Sequence, residues 1–117
     1  MDENAFKDRT KKLALRTIEL VEELPSRRTA DVIGRQLLRS ATSVGANYRS
    51  ACRGRSTADV LSKLAIVKEE ADETIYWMEL LVEAHITPET RVSELVKETN
   101  EIVAMTVASI KTMRNRK

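Results

Sequence analysis

The segment QLLRSATSVGANY, from Gln36 to Tyr48, decides the fold because it carries three different surfaces on one helix. Its apolar residues are spaced four, three and four apart, which places them on one helical face. These residues are Leu37, Ala41, Val44 and Tyr48. Beside them runs an uncharged row, here called the small-polar row, which consists of Gln36, Ser40, Ser43, Asn47 and Ser50. A third row, the arginine row, consists of Arg35, Arg39, Arg49 and Arg53. The apolar face needs a core, the small-polar row suits close helix packing, and the arginine row needs acidic partners or phosphates.

The composition indicates one helix-rich domain over residues 1–117. Hydrophobic residues make up 42% and charged residues 32%, while three glycines and two prolines disfavour an all-β fold. The single cysteine rules out an internal disulfide and favours a reducing, cytoplasmic location. The opening MDENAFKDRTKK has no apolar signal-peptide core, and no apolar run approaches the ~20 residues of a membrane helix. We therefore expect no membrane partner.

Charge is strongly segregated along the chain. Residues 27–55 contain seven arginines and one aspartate, a net charge of +6. Residues 56–86 contain two lysines and seven acidic residues, a net charge of −5. This contrast predicts that the two segments pack side by side and partly neutralise each other.

Caps and helix breakers predict where the helices begin and end. Pro25 ends the first helix, and Thr29, Ser56 and Thr87 are the predicted N-caps of the other three. The four predicted helices span residues of about 4–24, 29–52, 56–84 and 88–112. Helices of this length joined by short connections predict an all-α, antiparallel, up-down-up-down four-helix bundle. Because the second helix has more than one face suited to packing, we expect a homo-oligomer.

No catalytic, metal or cofactor motif is recognisable. The sequence has no P-loop, no GxGxxG and no metal-ligand spacing. Its only histidine, His85, has Val82 three residues before it, so the Glu-x-x-His pair of di-iron bundles is missing. Cys52 lies near Arg49 and Arg53, which leaves open a lowered thiol pKa, although a small buried hydrophobe is favoured. We expect a protein that is not an enzyme and needs no cofactor.

Two sets of residues are candidates for function. The nucleic-acid-binding candidates are Arg35, Arg39, Arg49, Arg53 and Arg55, which could follow a phosphate backbone. The alternative is that acids of the third helix or of a neighbouring subunit neutralise the arginine row. The candidates for oligomer or helix packing are Gln36, Ser40, Ser43, Asn47, Tyr76 and Trp77. Tyr76 and Trp77 are adjacent and are expected to point to different faces.

Three blocks of sequence resemble a known bacterial family. They are Gln36-Leu-Leu-Arg39-Ser-Ala-Thr-Ser43-Val-Gly-Ala-Asn47-Tyr, then Arg53-Gly-Arg-Ser56, then Lys63-Leu followed by Glu70-Ala-Asp-Glu73-Thr-Ile-Tyr-Trp77-Met-Glu-Leu-Leu81. In this order and spacing they are similar to the four-helix-bundle family of 23S rRNA intervening-sequence proteins, and the match covers most of the chain.

The resemblance implies a ring-like homopentamer. A related branch of the family serves as a basic accessory protein of diversity-generating retroelements, where it binds a reverse transcriptase and nucleic acid. The family motif often has an acid three residues after the asparagine, where this chain has Ser50, so a neighbouring arginine should be freer to bind anions. The resemblance therefore favours an oligomeric RNA- or DNA-binding or accessory protein; the alternative is a protein-interaction scaffold that uses its arginine row in intersubunit ion pairs.

Overall fold

Four α-helices account for nearly all of residues 2–116, the part of the chain that the computed structural model describes. They are α1 (Glu3–Glu22), α2 (Arg28–Cys52), α3 (Thr57–Glu83) and α4 (Glu89–Arg114). No β-strand occurs between residues 2 and 116. The fold is therefore all-α, as the sequence predicts.

The helices pack as a closed set of neighbours. Each helix contacts the next one along the chain, and α1 also contacts α4. The prediction that the basic and acidic segments lie side by side is confirmed, because α2 and α3 form the most extensive of these contacts. Glu3, Cys52, Val60 and Met113 line one cavity, so all four helices have one end at the same end of the molecule. The resulting rod measures 51 × 21 × 20 Å.

The core consists of the apolar stripes of all four helices. Its fully buried members include Leu13, Leu37, Val44, Val67, Met78, Leu81 and Ile102. Near one end of the rod, the rings of Phe6 and Tyr48 meet edge to face with centroids 4.6 Å apart. Each large apolar side chain stabilises the fold by about 1.5–3 kcal/mol when fully buried.

Five threonines lie inside this core without leaving a polar group unpaired. They are Thr10, Thr17, Thr74, Thr99 and Thr106. Each hydroxyl donates to a backbone carbonyl one helical turn earlier, as Thr17 does to Leu13 at 2.8 Å. Within residues 2–116 no buried side-chain oxygen or nitrogen lacks a hydrogen-bond partner. The cost of burying these hydroxyls is therefore largely offset.

Gly45 allows α1 and α2 to approach closely. A methyl group at this position would lie 3.2 Å from the Thr10 Oγ1 atom and 3.5 Å from the Thr10 backbone. Gly45 therefore serves close helix contact, and the loss of helix propensity at glycine is the cost of that contact.

The N-cap predictions are correct for one helix and wrong for two. The Ser56 hydroxyl accepts a 3.1 Å hydrogen bond from the Asp59 amide and caps α3. Helix α2 begins at Arg28 rather than after Thr29, because the Arg27 carbonyl already accepts the Asp31 amide at 2.9 Å. Helix α4 is capped by Pro88 and not by Thr87. Neither of these two N-caps provides a side-chain hydrogen bond.

Helix α3 ends in a Schellman motif built on His85. This residue has a φ of 59°, and its amide donates to the Val82 carbonyl at 3.0 Å. The Ile86 amide donates to the Leu81 carbonyl at 2.9 Å, and the Ile86 side chain is buried. This is the residue position that glycine usually occupies. His85 therefore has a structural role, which is to form the sharp turn into α4.

Candidate nucleic-acid interface

The arginine row lies on the outward face of α2. Arg35, Arg39, Arg49 and Arg53 are all exposed, and Arg55 is exposed in the connection that follows. Within residues 2–116, carboxylates bind the guanidinium group of one of these arginines and not those of the other four.

Arg39 is bound to two carboxylates of α3. Its Nη1 atom donates to Glu70 at 3.0 Å and its Nη2 atom donates to Glu73. The hydrogen bond with Glu73 is the main reason why the pKa of Arg39 is raised, with a Coulombic contribution from Glu70. The Trp77 indole donates to the same Glu73 carboxylate at 3.2 Å. Because this cluster lies at the surface, it orients α2 on α3 more than it stabilises them.

Within residues 2–116 no carboxylate lies within the 4.0 Å ion-pair distance of the guanidinium groups of Arg35, Arg49, Arg53 or Arg55. The sequence left open that acids of α3 neutralise the whole arginine row. Between residues 2 and 116, the acids of α3 neutralise only Arg39 of this row.

Three of these arginines meet a lysine in an open groove, here called the basic groove. It has a volume of about 700 Å³ and is lined by Ala46, Arg49, Ser50, Arg53, Arg55, Asp59 and Lys63. Four cationic side chains and one carboxylate give the groove a formal charge of +3. A concave surface of one sign concentrates the field at its floor and attracts anions.

Lys63 lines this groove but is not among the nucleic-acid-binding candidates from the sequence. It lies one helical turn beyond Asp59 on α3, and α3 packs against α2. The available signal was its position in the first two turns of a helix that follows an arginine-rich break. Helical spacing along α2 alone could not identify it, because the groove is formed by two helices.

The backbone of the connection between α2 and α3 is held by hydrogen bonds at successive residues. The amides of Arg53 and Gly54 donate to the carbonyls of Ser50 and Ala51 at 3.1 and 3.0 Å. The Arg55 amide donates to the Asp59 carboxylate at 3.2 Å. Asp59 therefore has a structural role in the groove as well as a charge, because it holds the backbone of Arg55.

Arg35 lies apart from this groove. It is 14 residues before Arg49 on the same helix, which corresponds to about 21 Å along the axis. Arg39, already bound to Glu70 and Glu73, lies between them in sequence. The arginine row is thus interrupted rather than continuous.

The small-polar row is divided between the core and an exposed edge. Ser40 is fully buried between α2 and α3, where its hydroxyl oxygen lies 3.0 Å from that of Thr74 and it donates to the Leu37 carbonyl at 3.1 Å. Ser43 and Asn47 are half-buried, and the Asn47 amide donates to the Ser43 hydroxyl at 2.9 Å. Gln36, also half-buried, accepts a long 3.4 Å hydrogen bond from Arg39.

Tyr76 and Trp77 differ in exposure, because Trp77 packs against the core whereas Tyr76 faces solvent. Their rings nevertheless meet edge to face, with centroids 5.0 Å apart. Adjacent helical residues lie about 100° apart around the axis, and large rings can bridge that angle. Tyr76 remains 54% exposed, which makes it the most exposed large apolar side chain in the described part of the chain.

Cys52 is not an activated thiol. It is half-buried, and burial raises the pKa of its thiol. The lowered pKa that the neighbouring arginines left open is therefore wrong. No cluster of three or more potential metal ligands occurs among residues 2–116.

The sequence matches the family model of the 23S rRNA-intervening sequence protein over residues 2–108. The chain belongs to this family. A crystal structure of a protein of unknown function from the S23 ribosomal protein family, from Bacteroides thetaiotaomicron, is similar to this chain with a TM-score of 0.85 and 38% sequence identity. The alignment covers 95% of this chain and 99% of that one. A comparison with curated proteins finds no match.

The blocks that carry the family resemblance meet in space. Arg39 comes from the first block, whereas Glu70, Glu73 and Trp77 come from the third, and all four belong to one hydrogen-bonded cluster. The second block forms the rim of the basic groove through Arg53 and Arg55. None of the helices between residues 2 and 116 is sufficiently long and apolar to cross a membrane.

Proposed function

We propose that this member of the 23S rRNA-intervening sequence protein family is a non-enzymatic, oligomeric protein that binds the phosphate backbone of RNA or DNA. The observation that carries the proposal is the basic groove, where Arg49, Arg53, Arg55 and Lys63 converge. Within residues 2–116 no carboxylate lies at ion-pair distance from their cationic groups.

The groove suits phosphates better than bases. Arginine guanidinium groups bind phosphate oxygens in a bidentate manner, and lysine binds them as a point charge. Within residues 2–116 the one exposed aromatic side chain is Tyr76. It does not line the groove, so base stacking does not contribute there. Binding should be independent of sequence and should weaken with salt, with a slope of about −3.6 for duplex DNA if four phosphates are neutralised per protomer.

The proposal includes an up-down-up-down order of the helices and assembly into a homo-oligomer, for which the family resemblance suggests a pentamer. The contact of Gly34 with Leu24, together with that of Gly45 with Thr10, supports an antiparallel order of α1 and α2. Exposed Tyr76 and Val32 and the half-buried edge of Ser43 and Asn47 support a further packing surface on α2 and α3. Assembly would multiply the number of basic grooves available to one nucleic acid.

A second candidate function is a protein-interaction scaffold in the same cytoplasmic setting. The ion pairs of Arg39 with Glu70 and Glu73 favour it, since they use part of the arginine row for packing. In this case the remaining arginines would bind acids of a neighbouring subunit, or of a protein partner such as a reverse transcriptase.

A salt titration of binding to fluorescein-labelled RNA and DNA, followed by anisotropy, distinguishes the two functions. We expect micromolar affinity at low salt and a steep decrease as salt rises. The triple substitution Arg49→Ala, Arg53→Ala and Arg55→Ala should flatten the salt slope by about 3, since it removes three phosphate contacts. Absence of binding at low salt would contradict nucleic-acid binding and favour the scaffold.

A matched control removes three positive charges from elsewhere on the surface. Lys11, Arg16 and Lys97 are exposed on α1 and α4 and do not line the basic groove. Their joint substitution by alanine lowers the net charge equally and should change the salt slope much less. Light scattering of the same samples at micromolar concentration tests assembly, and a monomeric mass would contradict it.

A further inference from the structure

A second groove lies between α4 and the C-terminal end of α3, whereas the basic groove is lined by the N-terminal end of α3. It has a volume of about 720 Å³ and extends along α4 from Glu89 to Ala104. Its apolar surface comes from Val82, Val92, Val96 and Ala104, of which Val82 and Val96 are half-buried and Ala104 is exposed. These residues leave a narrow apolar strip along the seam between the two helices.

The rim of this groove is acidic. It carries Glu79, Glu83, Glu89 and Glu101, together with one cation, Lys97. Glu101 is bound to Arg9 at 3.0 Å. Within residues 2–116 the other three glutamates have no cation at ion-pair distance, so their charge is available to an incoming partner. We call this surface the acidic groove.

We propose that the acidic groove binds a basic amphipathic helix of a partner protein. An apolar stripe on that helix would lie on Val82, Val96 and Ala104, and its flanking lysines or arginines would face Glu79, Glu83 and Glu89. Binding of an amphipathic helix in a groove is a common mode of recognition. The attraction between the basic residues of the helix and the acidic rim of the groove fixes the register of the helix.

The length of the groove determines the length of the ligand. Glu89 and Ala104 are 15 residues apart on α4, which corresponds to about 22 Å along the axis. A partner helix of about 15 residues, or about four turns, spans the same distance. Such a helix presents apolar residues at every third or fourth position, which matches Val92 and Val96 on α4 and leaves one polar position opposite Asn100.

The acidic groove is also separate from the other surfaces of the molecule. No residue of α2 lines it, whereas Ala46, Arg49 and Ser50 of α2 line the basic groove. The two grooves have opposite charge, so a basic ligand that binds one is repelled by the other. The same protomer could therefore hold a nucleic acid and a basic peptide at once.

Fluorescence anisotropy with a labelled synthetic helix tests the proposal on the full chain. The probe is a peptide of about 15 residues with leucines on one helical face and lysines elsewhere. We expect a Kd of tens of micromolar. Glu79→Lys combined with Glu83→Lys should weaken binding by about tenfold or more, and Ala104→Trp, which fills the floor, should have a similar effect.

Matched controls separate the groove from general attraction to an acidic surface. Glu19→Lys with Glu22→Lys changes the charge of α1 by the same amount, and Ala5→Trp adds the same ring at an exposed position on α1. Both controls should leave the Kd within about twofold of that of the original protein. A peptide in which every lysine is replaced by glutamate should bind at least about tenfold more weakly.

Three results would overturn the proposal. The first is absence of peptide binding at a protein concentration of about 100 µM, where even weak complexes form. The second is an equal loss of affinity in the α1 and α3 charge variants. The third is a fall in the oligomer mass of the Ala104→Trp variant by light scattering, which would assign the acidic groove to a second copy of this chain.

Discussion

Arg9 and Glu98 form a bidentate ion pair that joins α1 to α4. The Arg9 Nε and Nη2 atoms donate to the two carboxylate oxygens of Glu98 at 2.9 and 2.8 Å. Arg9 also donates to Glu101 at 3.0 Å and to the sulfur of Met105 at 3.0 Å. The hydrogen bond with Glu98 is the main reason why the pKa of Arg9 is raised. The pair thus links the first helix in the chain to the last.

A double-mutant cycle should show that Arg9 and Glu98 are energetically coupled. Both side chains are only partly exposed, at 31% and 24%, and their geometry is bidentate. We expect Arg9→Ala and Glu98→Ala to show a coupling free energy of about 1 kcal/mol in urea unfolding, at the upper end for surface pairs. The exposed pair Lys12 and Asp8 is the control, with an expected coupling of about 0.3 kcal/mol. Equal coupling in the two cycles would contradict a special role for Arg9.

Gly54→Ala should destabilise the protein by about 1–3 kcal/mol, since a methyl group here has no room. It would overlap the side chain of Val60 and lie 3.1 Å from the Ala51 carbonyl. Thermal unfolding followed by circular dichroism measures the effect. Combining Gly54→Ala with Val60→Ala should recover part of the loss, because it removes the side chain that is overlapped. A thermal midpoint unchanged by Gly54→Ala would show that the connection can relax.

His85→Gly should raise the free energy of unfolding by about 0.5–1 kcal/mol. The reason is the φ of 59° at this residue, which costs a side chain about 1–2 kcal/mol but costs glycine almost nothing. Part of the gain is lost because glycine has more conformational freedom in the unfolded chain. Ala84→Gly is the control: Ala84 has a φ of −85°, so that substitution should destabilise. A loss of stability in His85→Gly would mean that the imidazole makes a favourable contact.

Stability should decrease as the pH rises above about 9. Burial raises the pKa of Tyr48 above its ordinary value of 10.0 and that of Cys52 above its ordinary value of 9.0. In the unfolded chain both groups therefore lose their protons at a lower pH than in the folded protein. Their contribution to stability is complete below the ordinary values and is lost as the pH rises through the raised ones.

Urea midpoints measured at pH 7.5 and 10.5 test this dependence. Tyr48→Phe keeps the ring that packs on Phe6 and removes the titrating hydroxyl, so the fall in its midpoint should be smaller. Equal falls in the two proteins would assign the alkaline loss of stability to other groups.

The helices could be predicted from the sequence because their signals are local. Pro25, Ser56 and the periodic apolar residues act within a few residues of themselves, and α1 to α4 begin and end within two residues of the predicted positions. The predicted N-cap at Thr29 is wrong because the Arg27 carbonyl accepts the first helical hydrogen bond. Helix starts that differ by one or two residues have nearly the same local sequence pattern.

The candidate site was less predictable because it depends on which helices meet. The sequence of α2 does not show that Arg39 differs from Arg49 and Arg53 in its ion pairs. The difference depends on the position of Glu70 and Glu73 on α3. Lys63 joins the groove for the same reason. The pair of Arg9 with Glu98 spans 89 residues of sequence, and no periodic pattern indicates it.

The four-residue connection from Arg53 to Ser56 makes the proposed anion site preorganised. Its backbone is ordered before any ligand arrives, since Ser50, Ala51 and Asp59 accept the amides of Arg53, Gly54 and Arg55. An arginine on a disordered arm must lose backbone entropy of about 1–2 kcal/mol per residue when it binds. Here only the side chains need to be immobilised, at about 0.5–1.5 kcal/mol each. Under the proposed function, a phosphate would therefore bind at this connection with a smaller loss of entropy than at a disordered arm.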